Sequence, residues 1–570
     1  MKPFLALCQA CPSPCLRRTL LIRDQLAYPQ SALRYPIVLS RRWNSGLFAS
    51  TDDTIFALST AQGPAGIAVI RVSGPAALDI YRSLCPSKPL PRPRNATVRT
   101  LFDPRSSTKS EVLDSSALVL YFPAPETVTG EDVVELHVHG GTATVKAILS
   151  AVPQCGPSSS ASQTFSRRIR YAEPGEFTKR SFMNGRLDLA QVEALSNTLS
   201  AETEQQRRAA VRGAGGELGQ QYEKWRQNLL NARAELEALI DFSEDQHFDE
   251  SPAELLANVA KYVHHLLASI EQYKRAGERS ELVRNGIRIA FVGPPNAGKS
   301  SLMNLIVGRE ASIVSSEAGT TRDIVEANLD IRGYLCSFAD TAGFRTTHKI
   351  DGKAIGAIEM EGIRKARQKA EDSDLVVVLA SVEASRDASS GLKFAIRYDA
   401  ETLKLAAAAK DRILIVNKID TVSPDLYQSI LSQFNSEISS IVPELQGLDV
   451  ISISCAQSEV VSGLTSAKYP DYIQALTDKL VSLFTNMTSI PADMQSLFGV
   501  TSRQCQLLEE CTNHLQNFLQ VAQPQADTEA EADIVIAAEH LRFAASCLAR
   551  ITGRGDVPDV EDVLGVIFEK

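Results

Sequence analysis

The stretch Ala290–Ser301, AFVGPPNAGKSS, decides how the chain is read. Ile287, Ile289, Phe291 and Val292 form a short apolar run with the β-branched content of a buried strand. Gly293 to Ser300 then spell G-x-x-x-x-G-K-S. In that pattern the glycines let the backbone turn so that successive N–H groups face inward. They make a nest for phosphate oxygens at the start of the following helix. Asn296, Ala297, Gly298, Lys299, Ser300 and Ser301 are therefore candidate phosphate-binding residues. Lys299 would place a point charge on the β- and γ-phosphates, and the Ser300 hydroxyl would ligate Mg²⁺. Taken alone, the pattern also suits a Gly-rich strand–turn–helix with no ligand.

Three later stretches separate these readings. Asp340-Thr341-Ala342-Gly343 follows the strand-like run Tyr334–Ala339. Asp340 would hold Mg²⁺ through water, and the Gly343 N–H would sense the γ-phosphate. Asn417-Lys418-Ile419-Asp420 follows Ile413–Val416, a second buried strand by composition. The Asp420 carboxylate would accept from N1–H and N2–H₂ of guanine, whereas adenine presents an acceptor at N1. A polar group left unpaired by the wrong base discriminates by about 10⁴-fold or more. Ser454-Cys455-Ala456, after Val450–Ile453, suits a loop touching guanine O6 through its backbone. Four motifs in order, each after a strand, specify a GTPase rather than an ATPase.

At 570 residues the chain is too long for one core, and three or four domains are expected. Hydrophobic content of 44% and charge of 22% suit a globular protein. No apolar run approaches about 18 residues, so no membrane span is expected. The net charge of −9 excludes a sequence-blind polyanion binder, and any nucleic-acid contact needs a local basic patch. Ten cysteines without paired spacing point to a reducing compartment. Cys8, Cys11 and Cys15 cluster, but no second half of a zinc site lies near them.

Residues 1–50 hold seven Lys or Arg and a single acid, Asp24. This is the composition of an organellar transit segment, or of a basic tail. Strand-like runs follow at Ile55–Leu58, Gly66–Val72, Ala117–Phe122 and Val133–Val138, with a helix to about Val152. They imply a small α/β domain ending near Tyr171. QCGPSSSASQTFS, residues 154–166, is low-complexity and is expected to be an exposed loop. His137 and His139 alternate on one strand, so they point the same way, yet as a metal pair they lack a third ligand. Arg71 and Glu135 are charges inside apolar strands; a buried charge needs a partner, protein or ligand, and a solvated sheet face or an internal ion pair would also account for them. From Phe182 through Leu187, Leu189, Val192, Leu195 and Leu199, apolar residues recur at helical spacing, and amphipathic stretches continue to about Leu282. Helices resume near Ser489 and run to Phe568. The nucleotide domain is thus inserted between two halves of one helical bundle.

The chain resembles the MnmE/TrmE family of tRNA-modification GTPases that act on wobble uridines, in its mitochondrial form. The resemblance covers residues 52–568. It is carried by AVIRVSG from Ala68 to Gly74, TGEDVVELHVHGG from Thr129 to Gly141, EPGEFTKRSFMNGRLDLAQVEAL from Glu173 to Leu195, and EAGTTRD from Glu317 to Asp323. It implies a multidomain α/β plus α fold. A transit segment (1–50) precedes a tetrahydrofolate-binding and dimerisation domain (51–172). A helical domain in two halves (173–284 and 486–570) flanks an inserted Ras-like P-loop GTPase domain (285–485).

The resemblance also implies chemistry. Arg71, Glu135 and Arg186 match the family's folate-contacting positions, with Arg186 where the family usually has Lys. The donor would be 5-formyl- or 5,10-methylene-tetrahydrofolate. Position 344 is Phe, so no Gln there orients the attacking water. Glu359 falls at the family's position for that carboxylate. A K⁺ ion would take the role of an arginine finger, ligated by Asn296, with Ser315, Glu317 and Thr320 completing the site. Thr321, with Ser300, would hold Mg²⁺. Partners would be a second copy, an FAD- and NADH-dependent modification protein and tRNA of the mitochondrial matrix. The family's Cys-x-Gly-Lys tail is expected beyond Phe568, where this sequence has Glu569-Lys570, and no other cysteine is an obvious substitute. An organellar ribosome-assembly switch with the same GTPase domain is the competing reading.

Overall fold

The structure is a computed structural model and describes residues 53–106, 111–155, 168–242, 252–309, 311–313, 326–339, 367–368, 370–387, 391–457, 472–523 and 533–554. The first domain runs β1 (Thr54–Leu58), β2 (Ile67–Ser73), α1 (Ala77–Leu84), β3 (Thr97–Phe102), β4 (Val112–Phe122), β5 (Val133–His139), α2 (Thr142–Ala151) and β6 (Ile169–Tyr171). Its six strands lie in the order β3-β4-β5-β2-β1-β6. Side chains alternate across a strand, so each strand serves two faces. Ile70, Val72, Val134, Leu136 and Val138 are buried on one face, against Ile80, Tyr81 and Leu84 of α1 and Val145 and Ile148 of α2. Residues one step out of phase, including Arg71 and Glu135, occupy the other face. Antiparallel pairing sets Arg71 directly opposite Glu135.

Next come α3 (Glu176–Met183), α4 (Leu189–Ser200), α5 (Glu204–Gly213), α6 (Glu217–Phe242) and α7 (Pro252–Asn285). The apolar spacing from Phe182 to Leu199 suggests one helix, but the structure has two. Gly185 takes a left-handed φ of 67°, which ends α3. Asp188 then starts α4 with a capping box: its carboxylate accepts from the Gln191 N–H at 2.8 Å, and Gln191 accepts from the Asp188 N–H at 3.0 Å. Local capping outweighs the periodicity. Thr203 and Gln206 cap α5 in the same way.

The inserted domain comprises β7 (Ile287–Val292), α8 (Lys299–Arg309), β8 (Ala311–Ile313), β9 (Glu326–Ile331), β10 (Tyr334–Ala339), β11 (Leu375–Asp387), β12 (Gly391–Arg397), α9 (Ala400–Ala408), β13 (Asp411–Asn417), α10 (Pro424–Ile441), β14 (Val450–Ser452) and α11 (Tyr472–Thr488). The sheet order is β14-β13-β11-β7-β10-β9-β8, and β12 pairs with β11. β14, β13, β11, β7 and β10 are parallel; β13, β11 and β7 are apolar on both faces, which is why they read as continuous hydrophobic runs, whereas β10 buries one face through Tyr334, Cys336 and Phe338.

The chain does not return directly to α-helix at Ser489. A 3₁₀ stretch, Ala492–Gly499, comes first, and Thr501 caps α12 (Ser502–Ala522). Then α13 (Ile534–Thr552) completes the bundle. One apolar core joins Leu229 and Leu236 of α6, Val263 and Ile270 of α7, Leu508 and Phe518 of α12, and Leu541 and Leu548 of α13. Each such buried side chain contributes about 1.5–3 kcal/mol. Neither half of the sequence closes this core alone. No helix among the described residues is long and apolar enough to cross a membrane. The seven described cysteines are all free.

Candidate functional site

The loop Gly293–Ser300 leaves the carboxyl end of β7, which lies between β11 and β10; open α/β sheets bind their ligands at the carboxyl ends of their strands. Lys299 opens α8 and folds back over the loop. Its ammonium donates to the carbonyls of Gly293 at 2.8 Å and Pro294 at 3.0 Å. Ser300 and Ser301 follow in the first turn of α8 and are exposed. Asn296 stands exposed at the loop tip with a left-handed φ of 62°. The arrangement offers backbone N–H groups, a helix N-terminus and an ammonium to an anion.

Asn417 ties three loops together. Its side chain is 2% exposed. Nδ2 donates to the Ala297 carbonyl at 2.9 Å, while Oδ1 accepts from the N–H of Lys418 at 2.8 Å and of Cys455 at 3.2 Å. The phosphate loop, the 417–420 turn and the 454–456 loop are thereby fixed to one another. Gly298 is where the amide comes closest: a Cβ there would lie 2.1 Å from Asn417 Nδ2, at a φ of 98°. Ser454 Oγ donates to Asp420 Oδ1 at 2.6 Å and accepts from the Gln457 N–H at 3.1 Å. Asp420 is otherwise exposed, with its acceptor capacity turned by Ser454. Cys455–Gln457 are helical, with Ala456 exposed. Ser315, Glu317, Thr320, Thr321, Asp340, Thr341, Ala342, Gly343 and Glu359 lie outside the described residues.

The first domain has a second constellation, on the sheet face away from α1 and α2. Arg71 Nε donates to Glu135 Oε1 at 2.9 Å. The Arg71 guanidinium lies 5.7 Å from the centroid of the Phe177 ring, which α3 supplies. Thus the two strand charges satisfy each other, yet both remain partly accessible, with side chains 27% and 16% exposed. Beside them, His137 Nε2 is 3.5 Å from Glu135 Oε2 and is buried without a hydrogen-bond partner. A stacked guanidinium, a carboxylate and an orphaned ring nitrogen fit a flat heteroaromatic with a polar edge. Arg186 Nε donates to the Thr127 carbonyl at 3.1 Å. His139 turns instead to Asp114, its backbone N–H donating at 2.8 Å. Among the described residues no group of three or more His, Cys, Asp or Glu is placed to hold a metal ion.

Residues 54–186 match the model of the GTP-binding protein TrmE N-terminus, and residues 189–570 match that of the MnmE helical domain. The chain is 39% identical over 516 residues to the tRNA modification GTPase MnmE of Parvibaculum lavamentivorans, covering 90% of this chain and 98% of that protein. It is 36% identical over 520 residues to the mitochondrial tRNA modification GTPase mss1 of Schizosaccharomyces pombe, covering 91% and 94%. It is 37% identical over 542 residues to the human mitochondrial 5-taurinomethyluridine-[tRNA] synthase subunit GTPB3, covering 94% and 96%. The chain belongs to the MnmE family of tRNA modification GTPases. As a member of the MnmE family it is a GTPase that takes part in tRNA modification.

Several working residues of this MnmE-family chain are not singled out by sequence alone. Phe177 lies inside the EPGEFTKR motif, but only α3 packing sets its ring against Arg71. Arg180, 9% exposed, donates to both carboxylate oxygens of Glu131, at 3.0 and 3.1 Å, and to Glu176 at 3.2 Å. Glu131 in turn accepts from Ser73 at 2.7 Å. These bonds join the AVIRVSG, TGED and EPGEF motifs at one hub and hold α3 to the sheet domain, although the chain order groups it with the helices. The signal was the high density of buried-range charge in those motifs, whose partners the sequence does not pair.

Proposed function

We propose that this chain is the GTP-hydrolysing subunit of a complex that modifies C5 of the wobble uridine of mitochondrial tRNAs. Supporting this reading is the presence on one chain of two separate constellations: the Gly293–Ser300 and Asn417–Asp420 nucleotide loops, and the Arg71–Glu135–Phe177 face. A switch GTPase needs the first and has no use for the second. The fission yeast and human relatives, both named as mitochondrial proteins of tRNA modification, favour the same reading. The basic, acid-poor residues 1–50 are consistent with import.

In this reading Asn296, Ala297, Gly298, Lys299, Ser300 and Ser301 bind the phosphates. Lys299 exchanges the Gly293 and Pro294 carbonyls for β- and γ-phosphate oxygens. Ser300, Thr321 and Asp340 would hold Mg²⁺, which would supply charge neutralisation at the phosphates. Asn296, Ser315, Glu317 and Thr320 would hold K⁺, which would supply positive charge to the phosphates. Glu359 orients water, Asp420 selects guanine, and Thr341, Ala342 and Gly343 line the γ-phosphate side. Arg71, Glu135 and Arg186 bind a 5-formyl- or 5,10-methylene-tetrahydrofolate, which supplies the one-carbon unit. The first domains pair two copies, and an FAD- and NADH-dependent protein completes the complex.

Mass spectrometry of mitochondrial tRNA from cells lacking the gene tests the proposal. Complementation with the wild-type chain restores the C5-modified wobble uridine, whereas Arg71→Ala and Lys299→Ala do not. Restoration by Arg71→Ala to the wild-type level would leave the ribosome-assembly reading in front.

A further inference from the structure

The base side of the nucleotide site has a neighbour that the four motifs do not include. Strand β11 pairs with β7 only over Leu375–Val378, and with β13 as far as Ser381 opposite Asn417. It nevertheless continues to Asp387, because β12 folds back on it as an antiparallel hairpin, with Glu383 opposite Ala395. Residues two apart on a strand share a face. Glu383 therefore stands on the same face as Ser381, one pleat beyond Asn417, alongside the 417–420 turn.

There Glu383 Oε1 lies 3.5 Å from the Lys418 ammonium. The carboxylate is itself fixed from two directions. Ser381 Oγ donates to Oε1 at 3.2 Å, and Arg397 of β12 donates to Oε2 at 3.0 Å. Lys418 is constrained at its other end: its φ is 63°, and its N–H is bonded to Asn417 Oδ1. Glu383 and Lys418 side chains are 27% and 34% exposed, so solvent screens the contact only in part. Burial opposes ionisation of Glu383, but the hydrogen bond and charge of Arg397, with the charge of Lys418, outweigh it and lower its pKa.

We propose that Glu383 is a positioning residue of the guanine-nucleotide site. It draws the Lys418 ammonium toward the β11–β12 hairpin, so that the methylene stem of Lys418, rather than its charge, faces the base selected by Asp420. The inference rests on the reading of Asn417–Asp420 as the guanine pocket. The hairpin is then a wall of that pocket, and the Glu383–Lys418 contact slows nucleotide release.

The test is stopped-flow dissociation of fluorescent mant-GDP from the full chain, with steady-state GTP turnover. Glu383→Gln should speed dissociation about three- to tenfold, as the loss of one partly screened charged contact predicts. KM for GTP should rise by a similar factor, with kcat at saturation altered less than twofold. Glu383→Asp should recover part of the loss. In a Lys418→Ala background, Glu383→Gln should add nothing. Wild-type dissociation by Glu383→Gln, or its full effect persisting without the Lys418 side chain, overturns the proposal. If Lys418→Ala and Asp420→Ala both bind mant-GDP as wild type, the guanine-pocket reading itself fails, and the role of Glu383 fails with it. Thermal unfolding of each variant separates these outcomes from misfolding.

Discussion

Glu193 on α4 and Arg503 on α12 form a partly buried ion pair across 310 positions of sequence, spanning the entire inserted domain. The second carboxylate oxygen of Glu193 accepts from Thr501 at 3.0 Å and from Gln504 at 2.7 Å. Arg503 also donates to the Arg550 and Ile551 carbonyls near the end of α13, both at 3.1 Å. One carboxylate thus gathers α4, α12 and α13. Removing it takes the acceptor from Arg503 Nε and from the buried Thr501 and Gln504 side chains. We predict that Glu193→Ala lowers the unfolding free energy by about 3 kcal/mol. Urea denaturation followed by far-UV circular dichroism measures this, and a loss below about 1 kcal/mol would show the network to be incidental.

Gly298→Ala should abolish nucleotide binding. Its Cβ would fall 2.1 Å from Asn417 Nδ2 at a φ of 98°, so the loop or the Asn417 brace must move. Loss of the brace strands the buried Ala297 carbonyl, at a cost of about 1–3 kcal/mol. Gly308→Ala is the control, because nothing lies within 4 Å of its Cβ and it is helical. That change should leave binding intact and raise stability by about 0.4–1 kcal/mol. Equilibrium titration with mant-GTP and a melting curve check both.

Asp420→Asn should turn base preference from guanine to xanthine. An amide in place of the carboxylate, still oriented by Ser454, donates to the xanthine O2 and loses an acceptor for guanine N2–H₂. The GTP-to-XTP affinity ratio should fall by about 10²-fold or more. Competition between the two nucleotides gives the ratio, and an unchanged value would remove Asp420 from base selection.

Potassium dependence gives a test of Asn296. Its exposed amide at the loop tip is an oxygen donor suited to a hard monovalent cation. GTP turnover should be about tenfold or more faster in K⁺ than in Na⁺, and Asn296→Ala should level the two salts. Equal rates for the wild-type chain in both salts would take the cation out of the mechanism.

Acid should loosen the first domain through Glu176. Burial opposes its ionisation, but hydrogen bonds from Arg170 and the Glu173 N–H, with the charges of Arg170 and Arg180, outweigh it and hold its carboxyl below the ordinary 4.5. A lowered folded pKa contributes stability that is complete above the unfolded value and is lost as pH falls through the folded one. Melting temperature should therefore drop as pH falls below about 4.5, and Glu176→Gln should flatten that dependence. A variant as acid-sensitive as wild type would place the sensitivity elsewhere.

Much of the architecture was legible in the chain because it depends on local periodicity. Apolar runs such as Ile413–Val416 announce parallel strands buried on both faces. The alternation along Ala68–Val72 announces a strand with two unlike faces. The break at Gly185–Asp188 was not legible from spacing, because a capping box of a few polar atoms overrode an unbroken apolar stripe.

The amino-acid sequence by itself determined that a Gly-rich loop follows one strand, that an Asn-Lys-Ile-Asp turn follows another, and that amphipathic helices flank both. Those properties belong to residues close together in the chain, where backbone geometry and side-chain type suffice. Only the tertiary structure decided which charges meet: Arg71 with Glu135, Arg180 with Glu131, Glu193 with Arg503, Lys418 with Glu383. Ion pairing carries no periodicity and acts across hundreds of residues, so partners are chosen by strand register and helix packing rather than by any pattern along the chain.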